Sequence, residues 1–143
     1  MKPVLVDTDI LSMFFRSNPN VVSNFRKYLS QYEKINLSII TYYEILSGLK
    51  HKDALKQIAL FLEFVKHNTI LPLTEDSVTL SSGLYANLRK KGKPIDDIDI
   101  LIAGVALSNN LTLATNNEEH FKNIKGLKIL NWNKKETASS DIG

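Results

Sequence analysis

Residues 94–115 read PIDDIDILIAGVALSNNLTLAT, and this stretch decides how the chain is built. Pro94 and Ile95 form a break. From Asp97 to Ser108 nearly every position is apolar: Ile98, Ile100, Leu101, Ile102, Ala103, Val105, Ala106 and Leu107. The segment has helical length, and a helix that is apolar nearly all round is a buried one. Asn109 and Asn110 end it, and Leu111–Ala114 follows as a short apolar strand running straight into Thr115. A buried helix that hands over so quickly to a buried strand is half of a parallel βαβ unit.

The same alternation extends outward in both directions. Pro3–Val6 is a short apolar strand ending at Asp7, and Ile10–Phe15 is apolar but too short to assign. Asn18 followed by Pro19 is an N-cap with proline at the first helical position, predicting a helix to about Glu33. Ile35–Leu37 reads as a second strand, and Ser38 caps a helix running toward Gly48 whose core face is Ile39, Tyr42, Leu46 and Leu49. Within Lys52–His67, apolar positions 55, 58, 59, 62 and 65 form a helical stripe. Thr69–Leu73 is a third strand, and Thr74 caps a helix with Glu75 and Asp76 in its first turn, running out at Gly92. Leu127–Leu130 is a fifth strand, and residues 133–143 are a polar tail expected to fray. The class is therefore α/β: a three-layer α/β/α sandwich around a mainly parallel sheet of about five strands. Such sheets bind ligands outside the carboxyl ends of their strands. Asp7 and Thr115 stand at two of those ends.

Composition sets the outer bounds. A chain of 143 residues is one domain, and 43% hydrophobic with 23% charged residues is globular composition. Zero cysteines exclude a disulfide framework, thiolate metal sites and a cysteine nucleophile. No run approaches the roughly 18 apolar residues of a membrane span, and the opening MKPVLVDTDILSMFF lacks the features of a secretory leader. A soluble cytoplasmic protein is expected. The net charge is only +3, from 18 basic and 15 acidic residues, but the charges are clustered. Arg89, Lys90, Lys91 and Lys93 crowd together, Lys122, Lys125, Lys128, Lys134 and Lys135 stud the last quarter, and Asp96, Asp97 and Asp99 follow the first basic run. A basic run at a helix end also complements the helix dipole, so alone it does not decide between a solvated end and a binding patch.

The acids carry the chemistry. First-turn carboxylates stabilise a helix by about 0.3–1 kcal/mol each. Two ionised carboxylates about 5 Å apart repel by about 3 kcal/mol at an effective dielectric near 20. Capping therefore accounts for one or two of Asp96, Asp97 and Asp99 but not for all three, whereas a divalent cation reverses the sign of the repulsion. Asp7 ends a strand and faces the cleft, while Asp9 reads as the cap of the turn that follows. Glu44 has only small helical neighbours, Thr41, Ser47 and Gly48, leaving room for an ion or a phosphate. His51, His67 and His120 show no paired metal-ligand spacing, and the GxSxG, GxxxxGK[ST] and GxGxxG motifs are absent. A carboxylate-only site with a hard ion such as Mg²⁺ or Mn²⁺ suits metal-assisted phosphodiester hydrolysis.

Four motifs in order carry a family resemblance: VLVDTDIL, TYYEILSGL, PIDDIDILIAGVAL and LTLATNNEEHFKNIKGLKILNW. Over residues 1–132 the chain resembles the PIN-domain ribonucleases, in particular the VapC toxins of bacterial toxin–antitoxin pairs. The resemblance implies a PIN-like nuclease domain over 1–132 and a metal-dependent endoribonuclease leaving 5′-phosphate ends. It also implies a small VapB-type antitoxin that lies across the active site, and a homodimer. Position by position it assigns the first acid to Asp7, the second to Glu44 and the third to Asp99, with Asp97 as a supporting metal ligand. The fourth acidic place, after Thr115, is held by Asn117, an uncharged departure with Glu118 and Glu119 beside it. The basic residues would hold the RNA backbone.

Two further readings stand beside this one. A PIN-like module that binds RNA or protein without cleaving is favoured by Asn117 alone. A phosphatase of the haloacid dehalogenase type is suggested by Asp7-Thr8-Asp9, but Leu11 occupies its expected Thr or Val position and its downstream lysine motif cannot be placed.

Overall fold

The structure is a computed structural model describing residues 2–135. Five short strands form one sheet: β1 (Val4–Val6), β2 (Asn36–Ser38), β3 (Thr69–Leu71), β4 (Thr112–Ala114) and β5 (Ile129–Leu130). Their order is β3-β2-β1-β4-β5, and every pairing is parallel. The helices between them are α1 (Thr8–Phe15), α2 (Pro19–Leu29), α3 (Ile39–His51), α4 (Leu55–Lys66), α5 (Glu75–Lys90), α6 (Asp97–Ser108) and α7 (Glu118–Phe121).

Period-two alternation divides the strands between two cores. Val4, Val6, Leu37 and Ala114 meet Ile10 and Leu11 of α1, Val21, Phe25 and Tyr28 of α2, and Phe61 of α4. Leu5 and Leu113 face the opposite way, against Leu88 of α5, Ile100, Ile102, Ala103, Val105 and Ala106 of α6, and Phe121. The α/β/α sandwich and the buried α6 are as the sequence predicts. Ser38 caps α3 through Thr41 N–H at 3.0 Å, and Thr74 with Ser77 forms a reciprocal capping box on α5. Gly92 supplies the left-handed turn (φ 70°) that closes α5.

Several local expectations are corrected. The stripe on α4 has a different phase: Phe61 is buried, with Phe64 and Val65 packed beside it, while Leu55 and Leu60 are exposed. The reason is aromatic, because Phe61 and Phe64 receive the rings of Phe15 and Tyr42, and of Phe14 and Phe15, respectively. α4 begins at Leu55 because Asp53 takes a left-handed φ of 52°. Ile39, expected in the core, is exposed, while Tyr42, Leu46 and Leu49 pack inward. α2 stops at Leu29, where the Ser30 hydroxyl takes up the Lys27 carbonyl. Beyond residue 135 the expected frayed tail lies outside the described residues.

α5 and α6 approach each other closely. The Ser81 hydroxyl donates to the Ile100 carbonyl at 2.9 Å, and a Cβ at Gly104 would run into Ser81 Oγ and the Ser77 carbonyl oxygen. Only glycine permits that approach without one helix shifting.

Candidate active site

The sheet changes direction of build between β1 and β4: β2 and β3 lie to one side, β4 and β5 to the other. The carboxyl ends of β1 and β4 therefore open a crevice, and each delivers one polar residue into it, Asp7 and Thr115. Both are buried. The Thr115 hydroxyl donates to Asp7 Oδ2 at 2.7 Å, and Thr8 N–H donates to Asp7 Oδ1 at 2.8 Å.

Asp7 is thus the N-cap of α1, and Asp9 is not. This reverses the expected division of labour. Helix α1 starts directly after β1, which puts Asp9 in the first turn. There its Oδ1 accepts from Ile10 N–H at 2.7 Å and its Oδ2 from Asn116 N–H at 3.0 Å. Asp9 therefore binds the loop after β4 to the start of α1. Asn116 Oδ1 in turn accepts from Asn131 Nδ2 and Asn133 Nδ2, each at 3.2 Å, so the loop is held from both sides.

The electrostatics mark the crevice. Burial pushes the Asp7 carboxyl up to about 7, and the neighbouring charge of Asp9 adds to the rise. The Thr115 and Thr8 hydrogen bonds pull the other way, and Asp99 contributes a further push. Asp9 is also raised, chiefly by burial, against backbone N–H groups of Ile10, Asn116 and Asn117 that favour its charge; Asp99 again pushes upward. Asp7, Asp9 and Asp99 are therefore one electrostatic group.

Glu44 joins this group through Thr8. The Thr8 hydroxyl lies 2.6 Å from Glu44 Oε1, as donor, and 2.9 Å from Thr41 Oγ1. Asp99 is reached from another side by His120 Nδ1 at 2.8 Å, and the imidazole must be the donor because the carboxylate only accepts. The side chains of Asp97 and Asn117 are exposed, and Asn117 heads α7 without a side-chain capping bond, although its N–H donates to the Thr115 hydroxyl oxygen at 3.1 Å. Glu118 is engaged by Asn131 and Lys134, and Glu119 by Lys122. Lys128, at the start of β5, lies beside Lys2 at the opposite end of the sheet. Arg89, at the end of α5, lines a hollow with the start of α6 and His120.

Sequence reasoning missed Thr8 and His120 and undervalued Asp9. Thr8 carried a signal, since it lies between two acids at a strand end. His120 carried none, because its partner Asp99 is 21 positions away.

As the side chains stand, no three acidic or histidine groups among the described residues converge around a single point. The donor set nevertheless fits a hard cation. It is all oxygen, and burial, with the repelling charges of Asp9 and Asp99 added, lifts Asp7 to about 7. A divalent ion would turn that repulsion into attraction and draw the carboxylates inward by side-chain rotation.

Comparison with known proteins agrees with this fold. The sequence profile of the PIN domain matches residues 4–127. Ribonuclease VapC1 of Haemophilus influenzae (strain R2866) is 30% identical over 135 residues, covering 91% of this chain and 98% of the relative. The tRNA(fMet)-specific endonuclease VapC of Shigella flexneri is 29% identical over 133 residues, covering 92% and 99%. Among solved structures, the VapBC2 complex of Rickettsia felis bound to a DNA fragment from its promoter matches with a TM-score of 0.80 and 28% identity, covering 90% of this chain and 98% of that one.

Proposed function

The chain belongs to the PIN-domain family, and from that premise we propose that it is a VapC-type endoribonuclease, the toxin of a toxin–antitoxin pair. The observation that carries this reading is Asp7: a buried carboxylate at the topological switch point, fixed by Thr8 and Thr115 and pressed by the charges of Asp9 and Asp99. The nuclease domain is residues 1–132, and its RNA substrate puts its work in the cytoplasm.

The metal is Mg²⁺, with Mn²⁺ a close substitute, because the donors are all carboxylate oxygens. Asp7, Glu44 and Asp99 would hold it, with Asp97 in support and Asp9 completing the negative field. When bound, the cation supplies the Lewis acidity that lowers the pKa of a coordinated water and offsets charge on the phosphate. The chain's own residues do the positioning. Thr115 and Thr8 fix the two oxygens of Asp7, Thr8 fixes Glu44, and His120 fixes one oxygen of Asp99. Nothing in this arrangement requires the RNA 2′-hydroxyl, so the products carry 5′-phosphates. Lys90, Lys91 and Lys93, which follow Arg89 at the end of α5, would hold the backbone, which makes affinity fall as salt rises.

A small VapB-type antitoxin is the proposed protein partner and a homodimer the proposed assembly. Exposed Phe15 and Tyr43 on α1 and α3 offer apolar contact for such a partner, whereas Phe14 and Tyr42 are committed to the core. Uncompensated carboxylates in the crevice favour a cationic side chain from the inhibitor.

The test is RNA cleavage with purified protein. EDTA should abolish it, Mg²⁺ should restore it, and the cut ends should accept ligation as 5′-phosphates. Cleavage undiminished in EDTA, or cyclic phosphate ends, would overturn the reading.

A further inference from the structure

Beside Asp99 the surface opens into a hollow of about 460 Å³, within the range of small-ligand sites. It lies where α5 ends and α6 begins, and His120 of α7 closes one side, linking it to the acidic crevice through the Asp99 bond. Its apolar lining comes from Pro94, Ile95 and Ile98. Its polar groups are Arg89, Asp96 and Asp97.

Two details narrow the ligand. Asp96 occupies the N-cap of α6 but makes no side-chain cap bond, and among the described residues its carboxylate has no hydrogen-bond or ion-pair partner. An acid at an N-cap ordinarily accepts from the first turn; this one is exposed and open to a ligand in the hollow. Arg89 is restrained by its guanidinium lying 4.5 Å from the centre of the Tyr85 ring, and it lines the hollow as its one guanidinium donor. Two carboxylates against one guanidinium make the hollow a poor seat for a phosphate. Apolar side chains beside one restrained donor and one unspent acceptor suit a nucleobase instead.

Among the four RNA bases, guanine matches both edges. Its N1–H and exocyclic amine present two donors to a carboxylate, and its O6 and N7 present two acceptors to a guanidinium. Uracil offers a carboxylate one donor flanked by two repelling carbonyls. We propose that this hollow is a guanine-selecting subsite for a nucleotide next to the scissile phosphate, with Asp96 as the acceptor and Arg89 as the donor. The proposal rests on the nuclease reading for its place in the reaction, but not for the binding itself.

The experiment has two arms. In the first, a randomised oligoribonucleotide is cleaved and the cut ends are sequenced. Guanine should be enriched about tenfold at one position adjacent to the cut, the discrimination of a single bidentate contact. Asp96→Asn keeps a good N-cap residue, so it should still cleave the pool, with the enrichment reduced to near unity. In the second arm, the four nucleoside 5′-monophosphates are titrated while the Ile95 and Ile98 methyl resonances are followed. GMP should move them at the lowest concentration, and Asp96→Asn should abolish that advantage. RNA cut without base preference, or with a preference unchanged in Asp96→Asn, overturns the subsite and leaves the nuclease standing. GMP binding without any cleavage overturns the nuclease reading and leaves the subsite. Methyl groups that ignore all four nucleotides but shift with a basic antitoxin peptide would assign the hollow to a protein partner and overturn the proposal.

Discussion

The Thr115 hydroxyl and the Asp7 carboxylate meet at 2.7 Å although 108 positions separate them in the chain. The bond joins the tips of the two strands at which the sheet reverses its order of construction, and Asp7 N–H also donates to the Ala114 carbonyl at 2.9 Å. The most perturbed carboxylate of the site is therefore held by a backbone bond and a side-chain bond from the same neighbouring strand.

Asp7 makes the metal-free protein sensitive to pH in an uncommon direction. Its folded pKa, about 7, lies above its unfolded value, so the folded state favours the protonated form. That contribution is fully present below about pH 4 and is lost as pH rises to about 7, a loss on the order of 4 kcal/mol. Asp7→Asn should abolish RNA cleavage while being level with wild type in stability near pH 4 and more stable near pH 7. Thermal melts of both proteins in EDTA across that range measure this. A variant destabilised equally at every pH would make Asp7 a structural cap.

Thr8 connects Asp7, Glu44 and Thr41 through one hydroxyl and one N–H. Thr8→Val keeps the shape and the N–H but removes the bond to Glu44, so kcat should fall by about tenfold or more, roughly 1.4 kcal/mol of transition-state stabilisation. Thr8→Ser should retain most of the rate. Equal rates for Thr8→Val and wild type would detach Glu44 from the reaction.

The sequence made the larger architecture legible because its signals are local. α6 is apolar on all sides, Ser38 and Thr74 lie at the N-caps where such residues belong, and the strands are short apolar runs ending in polar residues. The α4 face was not legible, since Leu55, Ala59 and Leu62 are as apolar as Phe61 and Phe64. Only the aromatic cluster with Phe14, Phe15 and Tyr42 selects between the two faces. In the site, Asp7 and Thr115 could be read from strand ends. The exchange of roles between Asp7 and Asp9 could not, because it depends on α1 starting without a loop and on Asn116 arriving from β4.

Asn117 is exposed and makes no side-chain capping bond. Asn117→Ala should therefore lower turnover by no more than about tenfold. Asn117→Asp should tighten Mg²⁺ binding by adding a carboxylate to an oxygen-ligand site. Calorimetric titration of Mg²⁺ into both proteins decides this: unchanged affinity in Asn117→Asp, with full activity in Asn117→Ala, would remove the residue from the site.

Gly104 lets α5 and α6 touch. Gly104→Ala should cost about 1–3 kcal/mol from overpacking, read as a lower urea midpoint. Adding Ser81→Ala should recover only part, because the Ser77 carbonyl still meets the new methyl group. Complete recovery would mean that the helices are separated by the serine hydroxyl alone.

The seam between β1 and β4 also has a consequence for synthesis. The first strand is made before the rest of the domain, yet the residues that complete Asp7's environment, Ala114, Thr115 and Asn116, come close to the domain's end. A chain interrupted anywhere before them has its leading carboxylate but lacks the strand that orients it and the loop that holds Asp9. If Asp7 serves as proposed, incomplete copies of the domain are unarmed, and activity arises only once nearly the whole domain has been made.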